Sequence, residues 1–233
     1  MKTIILCAGD GERLKPATDT IPKPLLLIND RPILSYTFSA LPDTINDIVL
    51  VIQEKHKLFF EHFLETLPEH KDQIRFVFQD MTKKGTYHAL LSAKSHWENE
   101  DSFLVINGDD IFLKQDLTDL ITLKAPTYGL SYKKVNKRYR TCDLDQKNHR
   151  ILSFRRLKAD EKNQIVPCFS GAYTLTKDFL SYKPSYVEGE AGIPHTLFSS
   201  GVTVSYLILT TWLQINTPED LEQARLSLKD AKL

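Results

Sequence analysis

The chain has 233 residues, enough for one large domain or two small ones with an ample buried core. Hydrophobic residues make up 42% and charged residues 26%, ordinary values for a globular protein, and 30 basic side chains balance 30 acidic ones. That balance excludes a global basic field for nucleic acid, and no run approaches the ~18 apolar residues of a membrane span.

The first predicted strand is Thr3 to Leu6. Further apolar, β-rich runs follow at Asp47 to Ile52, Ile74 to Phe78, Ser102 to Ile106 and Tyr128 to Tyr132. Between the first four lie predicted helices at Pro32 to Leu41, Lys57 to Leu67 and Tyr87 to His96. Pro32 suits a first turn, where its missing N–H costs little. Strands alternating with helices imply βαβ units and a mostly parallel sheet. The strands are near-continuous apolar runs, so both faces of that sheet are expected to be covered.

After Gln115 the pattern changes to short strands at Thr141 to Leu144, Ile151 to Leu157, Phe169 to Leu175 and Val202 to Leu209. Lys158 to Pro167 reads as a polar loop. These strands are expected to add antiparallel pairs to the sheet. Thr217, Pro218, Glu219 and Asp220 open a last helix, with an N-cap, a first-turn proline and acids behind it, running to about Lys229. The reading is one domain over 1–233, with a nucleotide-binding half at 1–115 and an acceptor-binding half at 116–233. Cys7, Cys142 and Cys168 are too scattered for a disulfide framework or a metal cluster, and reduced thiols point to the cytoplasm. The apolar run Ile4 to Ala8 is too short for a secretory signal.

Ile5 to Pro24, ILCAGDGERLKPATDTIPKP, carries the chemistry. Gly9 and Gly11 let backbone N–H groups approach a phosphate closely. Arg13 and Lys23, brought to the same loop, neutralise a polyphosphate. The physical reading is a triphosphate cradle.

That segment resembles the signature of the sugar-phosphate nucleotidyltransferases, G-x-G-x-R-L followed by P-K-P. Gly9, Gly11, Arg13, Leu14, Pro22, Lys23 and Pro24 all match, and Cys7 stands where the family has a small residue such as Ala. The resemblance implies a Rossmann-like three-layer α/β/α fold with a mixed, mostly parallel sheet. It also implies that Leu6, Ala8, Gly9 and Gly11 contact the nucleotide and that Arg13 and Lys23 are catalytic.

Phe103 to Phe112, FLVINGDDIF, ends a buried strand in glycine and two aspartates. Ligands of open α/β sheets bind at such strand ends, and a carboxylate there suits Mg²⁺. By the resemblance Asp109 is the metal ligand, and Asp110 occupies a variable position. Thr211 to Leu221, TWLQINTPEDL, resembles the family's W-x-D-x-G-T pattern, but Gln214 stands at the second ligand position. Some relatives carry a metal-binding Asn in a G-V-N sequence, and Asn216 corresponds to it. The metal is therefore assigned to Asp109 and Asn216, with Gln214 left open.

In Gln79 to Thr86, QDMTKKGT, the family's counterpart reads the base, which makes Gln79, Gly85 and Thr86 nucleotide-binding. The Gln amide suits the N3 and carbonyl edge of a pyrimidine, so a pyrimidine triphosphate is favoured. The acceptor half resembles the family more weakly. Phe169 to Leu175 contains Gly171 of a G-x-Y strand, Glu190 matches a sugar-binding Glu, and Arg156 replaces a phosphate-binding Lys. His88 and His195 lack a nucleophile partner at recognisable spacing and read as structural. Lys133 to Arg140, KKVNKRYR, reads as a solvated loop.

The implied activity joins a nucleoside triphosphate to a sugar 1-phosphate, with Mg²⁺ and release of pyrophosphate. Two alternatives stay open. One is cytidylyl transfer to a non-sugar phosphate such as phosphocholine, with Tyr128, Tyr132 and Tyr173 available for an aromatic cage. The other is a catalytically degenerate regulatory protein. No nucleic-acid or membrane partner is expected.

Overall fold

The computed structural model describes residues 1–67, 72–134 and 140–229. The chain opens with β1 (Lys2–Leu6), β2 (Leu27–Ile28), β3 (Arg31–Pro32), α1 (Ile33–Ala40), β4 (Asp47–Ile52), α2 (Lys57–Glu65) and β5 (Ile74–Phe78). Then come α3 (Thr86–Ser92), α4 (Lys94–Trp97), β6 (Phe103–Asn107), β7 (Asp110–Phe112) and α5 (Lys114–Thr122). The second half begins with β8 (Thr127–Lys134), the short strands β9 (Arg140–Thr141), β10 (Leu144–Asp145), β11 (Arg150–Ile151) and β12 (Arg155–Arg156), and the long β13 (Ile165–Leu175). It closes with β14 (Tyr186–Val187), β15 (Glu190–Ala191), α6 (Ile193–Ser199), β16 (Ser205–Ile208), β17 (Trp212–Gln214) and α7 (Pro218–Ser227).

One sheet runs through both halves in the order β10-β11-β16-β8-β13-β6-β1-β4-β5, with β9 paired to β13 and β12 to β9. β5, β4, β1 and β6 pair in parallel, and β8 and β16 share their direction. β13 runs against them, between β6 and β8. The sheet is thus mixed, with mostly parallel strands. β16 departs from the antiparallel pairing expected of the second half. After β13 the chain turns back through α6, so β16 runs along β8 in the same direction.

The apolar runs lack polar alternation because both faces are covered. In β4, Ile48, Leu50 and Ile52 enter one buried cluster, while Val49 and Val51 enter the other. Leu34 and Phe38 of α1, Phe60 and Phe63 of α2 and Leu117 and Leu120 of α5 cover the first face. Tyr87 and Leu90 of α3, Trp97 of α4 and Ile193 and Leu197 of α6 cover the second. Each such side chain contributes about 1.5–3 kcal/mol on leaving water. A third, smaller cluster packs Leu14, Ile28, Ile33, Ile111, Ile215 and Leu221, tying the early loop to β17 and α7.

Four predicted elements change. The strand expected over Thr141 to Leu144 divides into the ends of β9 and β10, which pair with different neighbours. The helix expected over Tyr87 to His96 breaks at Ala93, whose ψ of 11° leaves the helical range. The run expected over Ile151 to Leu157 forms only β11 and β12, because Leu152 is solvent-exposed and finds no core. The loop expected over Lys158 to Pro167 contains a 3-10 turn, Ala159–Glu161, and the first residues of β13. Residues 135–139 of the basic Lys133 to Arg140 cluster lie outside the described residues. No helix among the described residues is long and apolar enough to cross a membrane.

Candidate active site

A cavity of about 410 Å³ opens at the C-terminal ends of β1 and β6, where parallel α/β sheets place their ligands. The expected residues Leu6, Ala8, Gly9, Gly11, Arg13 and Lys23 all line it. So do Gln79, Gly85, Thr86, Asp109, Glu190 and Asn216. Two expected residues do not. Arg156 sits on the exposed β12, paired with Glu188 at 2.6 Å. Gly171 lies behind Asp110 and Asn107, and a Cβ there would meet both side chains, Asn107 Nδ2 at 2.6 Å.

Local sequence explains how the loop is aimed. Gly11 adopts φ of 68°, a left-handed turn that reverses the chain after β1. The 3-10 turn Glu12–Leu14 then buries Leu14 and leaves Arg13 outward. A second 3-10 turn, Lys23–Leu25, starts at Pro22, and buried Leu25 and Leu26 pin it. Lys23 is only 8% exposed as a result. Its ammonium donates to the Asp109 carboxylate and to Asn216 Oδ1, the latter at 2.8 Å. The Arg13 guanidinium donates to the same Asn216 oxygen at 3.0 Å. Two cations and two oxygen donors from four distant segments therefore meet at one point.

Asn216 is held by the cap of α7. The Asp220 carboxylate accepts from the Asn216 and Thr217 amides at 2.9 and 2.8 Å, and the Thr217 hydroxyl accepts from the Asp220 amide. The Ile215 amide donates to the Asp109 carbonyl at 3.1 Å, which sets Asn216 beside Asp109. Gln214 lies on β17 opposite Asp110 and does not line the cavity.

Asp109 and Asn216 direct their oxygens at a single cation, the Lys23 ammonium. One charged and one neutral hard oxygen suit Mg²⁺, which takes few protein ligands and completes its shell with phosphates and water. No cluster of three His, Cys, Asp or Glu side chains occurs among the described residues. Burial, reinforced by the Asp109 charge, pushes the neighbouring Asp110 carboxyl well above the usual range, and the Cys7 thiol up for the same reasons.

Several residues escaped the sequence reading. Gln53 follows β4 and is 2% exposed, and its Nε2 donates to the Ala8 carbonyl at 2.8 Å and to Asp10 Oδ1 at 2.9 Å. It straps the phosphate loop from behind. The signal that could have found it is a polar side chain directly after the buried β4. Asn107, Asp10 and Lys84 also line the cavity. Gln79 Nε2 donates to the Lys83 carbonyl at 3.0 Å, which leaves the amide oxygen and the second N–H without that partner.

The aromatic cage is not formed. Tyr128 and Tyr173 stack at 4.6 Å inside the core, at 2% and 1% exposure, and Tyr132 is exposed outside the cavity. His195 packs edge-on against Phe154, and His88 shares a hydrogen bond with the Tyr186 hydroxyl.

Residues 2–227 match the Nucleotidyl transferase family. The chain belongs to that family. Among its relatives is a D-glycero-alpha-D-manno-heptose 1-phosphate guanylyltransferase of Campylobacter jejuni, 32% identical over 184 residues, covering 78% of each chain. Another is the bifunctional protein GlmU of Methanocaldococcus jannaschii, 32% identical over 179 residues. That match covers 76% of this chain and 40% of the GlmU chain, so this nucleotidyl transferase spans well under half of that relative. Among solved structures, the inositol-1-phosphate CTP transferase of T. maritima superposes with a TM-score of 0.80 at 18% identity, over 99% of this chain and 96% of its own. That likeness confirms the three-layer α/β fold.

Proposed function

We propose that the chain joins a nucleoside triphosphate to a sugar 1-phosphate, giving an NDP-sugar and pyrophosphate. The observation that carries this is the meeting of Arg13, Lys23, Asp109 and Asn216 at the mouth of a glycine-turned loop. The acceptor's phosphate oxygen attacks the α-phosphorus, and pyrophosphate leaves in line. The attacker is already anionic, so no general base is needed. Arg13 neutralises the departing pyrophosphate. Lys23 steadies the attacking phosphate and the charge that builds at phosphorus. Asp109 and Asn216 would hold Mg²⁺, which when bound withdraws charge from the reacting phosphates. Glu190, which lines the cavity, takes acceptor hydroxyls.

The donor is read by Gln79. One of its two amide N–H groups is engaged by Lys83, so its oxygen and second N–H remain for the N3 and carbonyl edge of a pyrimidine. That favours a pyrimidine triphosphate. Three buried, unpaired thiols suit a reducing, cytoplasmic setting. The test is pyrophosphate release with UTP, dTTP, CTP, ATP and GTP, each against a panel of sugar 1-phosphates and phosphocholine, with Mg²⁺. A pyrimidine triphosphate with a sugar 1-phosphate should react fastest. A preference for ATP or GTP overturns the base reading, and no release from any pair overturns the activity.

A further inference from the structure

The hairpin that carries Glu190 is too small to hold itself. β14 and β15 contribute two residues each, paired Tyr186 with Ala191 and Val187 with Glu190. An isolated hairpin even of full length is marginal in water. Its turn places Glu188 at φ of 54° and Gly189 at 84°. What fixes it lies mainly on the base-reading segment. The Ala191 amide donates to the Lys84 carbonyl at 3.3 Å. The Ile193 amide donates to Thr86 Oγ1 at 3.0 Å. The Tyr186 hydroxyl and His88 Nε2 are 3.1 Å apart, and their rings tilt against each other at 6.0 Å. Gly85, at φ of 101°, packs so closely on Ala191 that a Cβ would overlap the Ala191 backbone. This gives Gly85 a second task besides approaching the base.

We propose that the base-reading segment and the acceptor hairpin form one coupled unit, with His88 and Tyr186 as positioning residues that transmit nucleotide binding to Glu190. The proposal rests on the function proposed above. Lys84, Gly85 and Thr86 line the same cavity as Gln79 and Glu190. A triphosphate seated on Gln79 immobilises residues 84–86, and the hairpin bonded to them is immobilised with it. Ordering the first ligand's contacts then lowers what the second must order, which is positive coupling without a change of fold. The His88–Tyr186 contact lies at the far end of the hairpin from the base and closes this unit into a loop.

Hydrogen exchange of the full chain tests this, measured on the amides of Ala191 and Ile193 with and without each of the five triphosphates and Mg²⁺. In the wild type the triphosphate that binds should slow both amides about tenfold beyond the apo rate. Tyr186→Phe and His88→Ala should each remove most of that added protection, and the double variant no more than either single one. The dissociation constant of the triphosphate should stay within about twofold, and exchange in β1 and β4 should be unchanged, showing an intact fold. Equal nucleotide-induced protection in the variants overturns the role of His88 and Tyr186. Nucleotide binding that leaves the hairpin amides unaltered overturns the coupling alone. Failure of all five triphosphates to bind overturns the coupling and the proposed function together.

Discussion

Replacing Lys23 by Met should move metal affinity and turnover in opposite directions. In the ligand-free protein the Lys23 ammonium occupies the point on which Asp109 and Asn216 converge. A divalent ion entering that point must displace it. Hydrogen bonds to charged groups are worth about 1.5–3 kcal/mol each in net terms, and the Lys23 side chain at 10% exposure is poorly placed to recover them from water. Part returns as the ammonium reaches solvent, leaving a displacement cost of about 2 kcal/mol, or about 30-fold in affinity. Lys23→Met has no such cost, so Mn²⁺ binding without nucleotide should tighten about 30-fold, read by electron paramagnetic resonance. Turnover should fall by a factor of about 10²–10³, because the charge that meets the attacking phosphate is gone. Removing the ammonium leaves Asp109, itself 22% exposed, without its cation, so the variant should melt lower without metal and recover when Mn²⁺ is added. Unchanged or weaker Mn²⁺ binding in Lys23→Met would show that lysine and metal do not share a seat.

Arg13→Ala should lower kcat about 100-fold with little change in melting temperature, since Arg13 is exposed and its one bond runs to the Asn216 side chain; near-normal turnover at saturating substrate removes Arg13 from the mechanism. All three cysteines should resist Ellman's reagent at pH 8 in the native protein and react fully after denaturation. Burial holds Cys142 and Cys168 up at about 12 and Cys7 higher still, so their thiolates form only well above pH 8, and rapid native labelling of any of them contradicts that burial.

Sequence reading recovered whatever is encoded locally. β1, β4 and β6 were legible because a strand buried on both faces leaves an unbroken apolar run, and the cap of α7 because Thr217 and Asp220 bond each other within four residues. The phosphate loop was legible because glycine and proline dictate its turns. What stayed hidden is made by contacts between distant segments. Lys23 meets Asn216 across 193 residues and Gln53 meets Ala8 across 45, and no periodicity records either. β7 and β17 hold three residues each, and each supplies only one side of its ladder, so neither carries a strand signal alone. Gly85 carries a reason that no local pattern records, because a Cβ there would meet the Ala191 backbone 106 positions on.

The second metal ligand is where sequence and structure pull apart most usefully. Family alignment puts Gln214 at the ligand position and Asn216 two residues later. A strict strand would turn both side chains to the same side, but β17 ends at Gln214. Ile215 then bonds Asp109 and buries its side chain in the third cluster, and the α7 cap aims Asn216 at the Lys23 ammonium. Asn216 at the helix cap, and not Gln214 at the strand end, therefore shares the Lys23 ammonium with Asp109. Asp109→Ala removes a ligand and a charge together, so no concentration of Mg²⁺ should restore its activity. Asn216→Ala removes one neutral oxygen that water replaces in part, so its Mg²⁺ requirement should rise about tenfold and excess metal should recover much of the rate. Gln214→Ala should titrate like the wild type. If Gln214→Ala instead raises the Mg²⁺ requirement and Asn216→Ala does not, the ligand lies on β17 and Asn216 serves only to brace Arg13 and Lys23.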